Sequence, residues 1–186
     1  NLLKNYFTIR MLPLPKNELS GIYRKDLSKK NYKNLMNIFS LKRNEIRGEP
    51  IISHILLTHV HSDHSGLIRY LDKDIIITSG ITNVKILEFL EEISSHNSFF
   101  SNILKFKPKF QKNPNTGVRL YSKYEYITRK TFIPKIDKLT PLDGNEKFLV
   151  QFLPTDHSIP GAGAFFVNDT ETKLKIVYTG DLRLHG

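Results

Sequence analysis

The sequence predicts a mixed α+β fold with α/β-type layers, and three observations carry that prediction. Between residues 54 and 93, apolar runs of strand length alternate with runs of helical period. From residue 148 to 178, strand-sized runs follow one another, separated by turn residues. The composition, 39% hydrophobic and 25% charged over 186 residues, is that of a globular chain long enough for one domain or a large piece of one.

Residues 54–58 (HILLT) form a short apolar run between Pro50 and a polar cluster, and read as a buried strand. Residues 65–71 place Leu67, Ile68 and Leu71 at helical spacing, with Asp63 or Ser62 available as the cap. Residues 74–78 read as a second buried strand. Residues 82–93 read as an amphipathic helix with Val84, Ile86, Leu87, Leu90 and Ile93 on its apolar side. Residues 97–135 carry Pro108, Pro114, Gly117 and Pro134 with weak periodicity, and read as loops and edge elements or an insertion. Residues 148–153, 164–167 and 174–178 are strands, the last two joined by a turn at Asn168-Asp169-Thr170.

Charge is unevenly distributed. The chain carries a net charge of +10. Residues 1–50 hold 11 basic and 4 acidic side chains; residues 101–135 hold nine basic (Lys105, Lys107, Lys109, Lys112, Arg119, Lys123, Arg129, Lys130 and Lys135) against Glu125 alone. Phe106, Phe110, Tyr121, Tyr124, Tyr126 and Phe132 are interleaved with those cations, as on surfaces that track a nucleic-acid backbone and stack its bases. The alternative for this segment is compositional lysine and core aromatics. Zero cysteines exclude a disulfide scaffold and any cysteine zinc site, so a metal must be held by His, Asp or Glu. No apolar run approaches the ~18 residues of a membrane helix, and no signal-peptide pattern is visible, which leaves a cytoplasmic location as the default expectation.

The chemistry is concentrated in His59-Val60-His61-Ser62-Asp63-His64, directly after the first strand. A strand's carboxyl end is where open α/β sheets place ligands. His59 and His61, two apart in extended backbone, point to one side and can share a cation; Asp63 and His64 follow as the chain turns and can face a second. Imidazole with carboxylate suits zinc, or manganese or iron. Chance alone yields such a pattern with a probability of roughly 5 × 10⁻⁴ at this composition. The bland alternative is a polar turn that caps the next helix. Two further strand ends offer ligands, Thr155-Asp156-His157-Ser158 and Tyr178-Thr179-Gly180-Asp181.

With HVHSDH at 59–64, DHS at 156–158 and TGD at 179–181 in this order, the sequence resembles the metallo-β-lactamase superfamily. The longer strings DHSIPGAGAFF at 156–166 and YTGDLRLHG at 178–186 resemble its β-CASP nuclease branch, which includes ribonuclease J. The resemblance spans about Gly21 to the end and implies an αββα sandwich, incomplete here: residues 1–186 read as a partial metallo-β-lactamase domain, an N-terminal fragment of the catalytic domain. The first aspartate motif, the last zinc-ligand histidine, the general acid, the C-terminal completion and the β-CASP insertion are expected outside this chain. Carried over by position, the resemblance implies that His59, His61 and His157 bind one zinc ion, that Asp63 and His64 bind a second, and that Asp181 bridges both. Asp63 and Asp181 are then also catalytic. Thr58 and Asp156 are expected to orient ligands or to cap turns. His185 could meet a phosphate, although a structural or solvent-exposed role is the commoner one for a lone histidine; His54 and His96 belong to no motif.

The function implied is that of a zinc-dependent hydrolase, a phosphodiesterase or nuclease cleaving RNA with a metal-activated hydroxide. Its partner is then single-stranded RNA and not a membrane. One alternative keeps the metals but takes a small ester, lactone or thioester, as glyoxalase- and lactonase-like relatives do. Another is an inactive binding or assembly module. Uncovered sheet edges are expected to promote self-association or a homodimer.

Overall fold

The computed structural model describes residues 2–25, 33, 36–95, 98–106, 111–112, 119–120, 127–143 and 145–183. The α-helices include α1 (Leu2–Thr8), α2 (Arg43–Arg47), α3 (Ser62–Ser65) and α4 (Ile81–Ile93). The strands are β1 (His54–Leu56), β2 (Ile76–Thr78), β3 (Lys105–Phe106), β4 (Gln111–Lys112), β5 (Arg119–Leu120), β6 (Ile127–Thr128), β7 (Thr131–Phe132), β8 (Thr140–Leu142), β9 (Asn145–Pro154), β10 (Gly163–Asp169) and β11 (Lys175–Tyr178).

The strands separate by local sequence. The short, apolar β1 and β2 pair in parallel, His54 with Ile76 through Leu56 with Thr78, and β7 joins β2 in parallel. Every residue of β2 is buried, as a strand covered on both faces requires. The C-terminal run forms an antiparallel sheet in the order β11-β10-β9-β8. Its turn lies later than the expected Asn168-Asp169-Thr170, at residues 170–172, because Asn168 still pairs with Lys175 in the ladder; the Asp169 carboxylate closes the turn by accepting the backbone N–H groups of Glu171 and Thr172. The mixed α+β class expected from the sequence is therefore observed.

Two cores support these sheets. Phe7, Leu12, Ile22, Tyr23, Leu41, Ile46 and Ile75 pack the N-terminal segment against the first sheet. Leu57, Val60, Ile68, Ile77, Leu87, Ile103 and Leu104 fill the space between that sheet and α4. Helix α4 spans the expected residues and buries Val84 and Leu87, but Ile93 stands exposed beyond the last buried turn. The helix expected over residues 65–71 is divided: α3 ends at Gly66, whose N–H donates to the Ser62 carbonyl, and Ile68–Tyr70 tighten into a 3₁₀ turn. The cap also differs, since His61 occupies the N-cap position and Ser62 and Asp63 lie inside the first turn.

One charged residue of the basic segment is a core residue. Arg129 is only 2% exposed, and its guanidinium donates to the carbonyls of Leu71, Asp72, Ile75 and Ile103 while lying over the Phe106 ring. Phe106 is buried with it. Neither is an exposed nucleic-acid contact. Most of residues 107–126, with the remaining interleaved tyrosines, lie outside the described residues, as do His96 and His185. Among the described residues no helix is long and apolar enough to cross a membrane.

Candidate metal centre

Three loops, each leaving the carboxyl end of a strand, bring the singled-out residues together. The loop after β1 carries His59 and His61, and the helix α3 that follows carries Asp63 and His64; the loop after β9 carries His157; the loop after β11 carries Asp181. Their ligand atoms form two overlapping groups, His59 with His61 and His157, and His59 with His64 and Asp181, the atoms of each group lying within 4.8 Å of one another.

The detailed distances are those of ligands that surround a small cation. Nε2 of His157 is 3.3 Å from Nδ1 of His61. Oδ2 of Asp181 lies 3.3 Å from Nε2 of His64, 3.8 Å from Nε2 of His59 and 3.9 Å from Nε2 of His157. Two ligands each about 2.0–2.1 Å from a tetrahedral ion are separated by roughly 3.3–3.4 Å. The His59 side chain is 1% exposed, and its Nε2, buried and aimed into the cluster, meets no hydrogen-bond partner among the described residues. An unpartnered buried nitrogen is costly unless a cation takes its lone pair. Burial above all, and then repulsion from His64 and His157, lowers the His59 pKa to about 4, against the pull of Asp181. The imidazole is therefore neutral at pH 7, the form that ligates metal. The residues present fit a metal ion.

The remaining expected positions are placed as follows. Asp63 is 76% exposed and falls outside both groups; its Oδ2 is 3.6 Å from Nε2 of His64. Thr58 is buried, with Oγ1 3.1 Å from Nδ1 of His59. Asp156 is exposed, and its backbone carbonyl accepts the N–H of Arg183 at 3.1 Å. His54 lies away from the cluster, 2.9 Å from Oγ1 of Thr78 through Nδ1. Gly180 adopts φ +62, and a Cβ there would come within 2.7 Å of Thr58, so this approach to the first loop admits only glycine. The sequence did not single out Asn83, a buried helix residue whose amide donates to the Thr58 carbonyl at 3.0 Å. A polar residue on the buried side of an amphipathic helix was the available signal.

The family model of the metallo-beta-lactamase superfamily matches residues 32–186. The chain belongs to the metallo-beta-lactamase superfamily. Five chains of solved structures match. One is the crystal structure of a protein of unknown function from Enterococcus faecalis V583, similar over all of this chain with a TM-score of 0.56 and 20% identity. That likeness concerns the fold. The chain spans 34% of the length of that protein. No curated protein matches.

Proposed function

We propose that this superfamily member holds two zinc ions and that the protein is a phosphodiesterase cleaving single-stranded RNA. His59, His61 and His157 would hold one ion and His64 and Asp63 the other, with Asp181 within reach of both sets of imidazoles. The observation that carries the metal centre is the convergence of four imidazoles and the Asp181 carboxylate from three strand ends, around a buried nitrogen with no partner. Manganese or iron would suit the same donors.

The bound ions supply Lewis-acid polarisation and lower the pKa of a water molecule. The chain's own part is to hold the four imidazoles in place, with the exposed Asp63 and half-exposed Asp181 carboxylates beside them. Oδ2 of Asp181 and Oδ2 of Asp63 lie 3.3 and 3.6 Å from Nε2 of His64, so both carboxylates border the same imidazole. RNA as substrate is supported by the DHSIPGAGAFF and YTGDLRLHG strings and by a net charge of +10, which attracts a polyphosphate backbone.

Zinc content and RNA cleavage measured together test the proposal. The complete protein, with the parts expected outside residues 1–186, purified without chelator, is expected to carry two zinc ions per chain and to cut end-labelled single-stranded RNA, with metal and cleavage both reduced by His59→Ala and Asp181→Ala. Zinc-loaded protein that hydrolyses a thioester and leaves RNA intact would transfer the function to the small-substrate branch. Loaded protein inert toward both would favour a binding module.

A further inference from the structure

The loops that build the centre meet at Thr58, which is not itself a proposed ligand. Its Oγ1 lies 3.1 Å from Nδ1 of His59. Its carbonyl accepts the backbone N–H of Gly163, beyond His157, at 3.0 Å and the Asn83 side-chain amide at 3.0 Å. Gly180, next to Asp181, packs directly on its side chain. All three ligand-bearing segments thus register on one buried threonine.

The hydrogen-bond roles around it are constrained. Asn83 is fully buried, and its amide nitrogen also reaches Oγ of Ser79 at 3.0 Å. The Ser79 hydroxyl donates its one proton to the Leu57 carbonyl at 2.6 Å, so toward Asn83 it accepts. Two acceptors therefore fix the Asn83 nitrogen toward Thr58; a flipped amide would set oxygen against the Thr58 carbonyl oxygen. A neutral His59 has one ring proton to place. Nδ1 has an oxygen within reach, whereas a proton on Nε2 would have no acceptor within hydrogen-bond distance among the described residues.

We infer that Thr58 and Asn83 are positioning residues for His59. The Thr58 hydroxyl accepts the Nδ1–H, which leaves the Nε2 lone pair facing the cluster, and Asn83 anchors the Thr58 backbone that sets this contact. The use of that lone pair rests on the metal reading above, whereas the tautomer is a property of the metal-free chain.

Long-range proton–nitrogen correlation on the metal-free, unsubstituted protein tests the first step without any variant having to fold. The proton is expected on Nδ1 of His59; a proton on Nε2 overturns the inference. Thr58→Val keeps the branched shape and removes the acceptor. It is expected to move the proton toward Nε2 and weaken zinc binding about 10–100-fold, as loss of a ligand's outer partner does, with Thr58→Ser restoring both. Asn83→Ala is expected to shift the His59 ring-nitrogen resonances and weaken zinc binding roughly ten-fold. Unmoved resonances in that variant would remove Asn83 from the positioning role. If the protein takes up no zinc while His59 still holds its proton on Nδ1 and responds to Thr58→Val, the metal reading falls and the positioning inference stands.

Discussion

His59 is a base kept from its proton. Its folded pKa of about 4 lies below the ordinary 6.5, so between those values the unfolded chain binds the proton and the folded one does not. Stability of the metal-free protein is therefore expected to be complete above pH 6.5 and to fall as pH drops toward 4, by at most about 3 kcal/mol from this group. Urea unfolding at pH 7 and pH 5 with chelator present measures that slope, and His59→Gln is expected to flatten it. Arg129 is the second residue whose setting decides its role. Four backbone carbonyls depend on its guanidinium, and Arg129→Ala is expected to cost roughly 3 kcal/mol or more, because it opens a cavity and orphans those acceptors. Arg129→Lys should recover little of that loss, since an ammonium lacks the planar fork that spans them. An unchanged melting temperature in Arg129→Ala would contradict the clamp. In the sequence this arginine was indistinguishable from its exposed neighbours, because a charge count carries no information on burial.

At the scale of the element, the parts legible in sequence are those where local pattern and tertiary need agree. The HVHSDH string follows an apolar run, and one turn brings its histidines close to one another, which spacing alone makes legible. Helix α4 was legible from its apolar period. The helix expected at 65–71 was not, because Gly66 and the need to bury Ile68 against the second core break one helix into two short turns. What joins α4 to the strands after it was also invisible: the Glu91 carboxylate accepts the backbone N–H groups of Ile103, Leu104 and Lys105. Burial raises its pKa, and those three donors oppose the rise. Glu91→Ala is expected to destabilise the protein by about 2 kcal/mol, read as a lower urea midpoint, by orphaning these donors. Phe89→Ala on the exposed side of the same helix should change the midpoint by no more than about 0.5 kcal/mol.

For the whole molecule, charge and exposed sheet edge act in opposite directions. Among the described residues β11 is the outer strand of its sheet, and all four of its residues are exposed. Ile176 and Tyr178 on one face and Val177 on the other leave both sides of that edge apolar and exposed, and Leu174 before it and Leu182 after it are exposed as well. An unpaired strand of this kind is a template for a second copy of itself, because its free N–H and C=O groups complement an identical antiparallel partner. The net charge of +10 keeps two chains apart at low ionic strength. Screening shortens that repulsion, with a Debye length of about 10 Å at 0.1 M salt and about 3 Å at 1 M, and leaves the apolar contact intact. Self-association of the metal-free chain is therefore expected to increase with salt, and the proposed RNA binding to weaken with salt, because each phosphate contact releases counterions. Sedimentation velocity across a salt series measures the first. Val177→Lys, which places a charge on the edge without touching the metal centre, is expected to hold the chain monomeric at every salt concentration. Association that instead declines with salt, or survives Val177→Lys, would place the contact on a charged surface and not on β11.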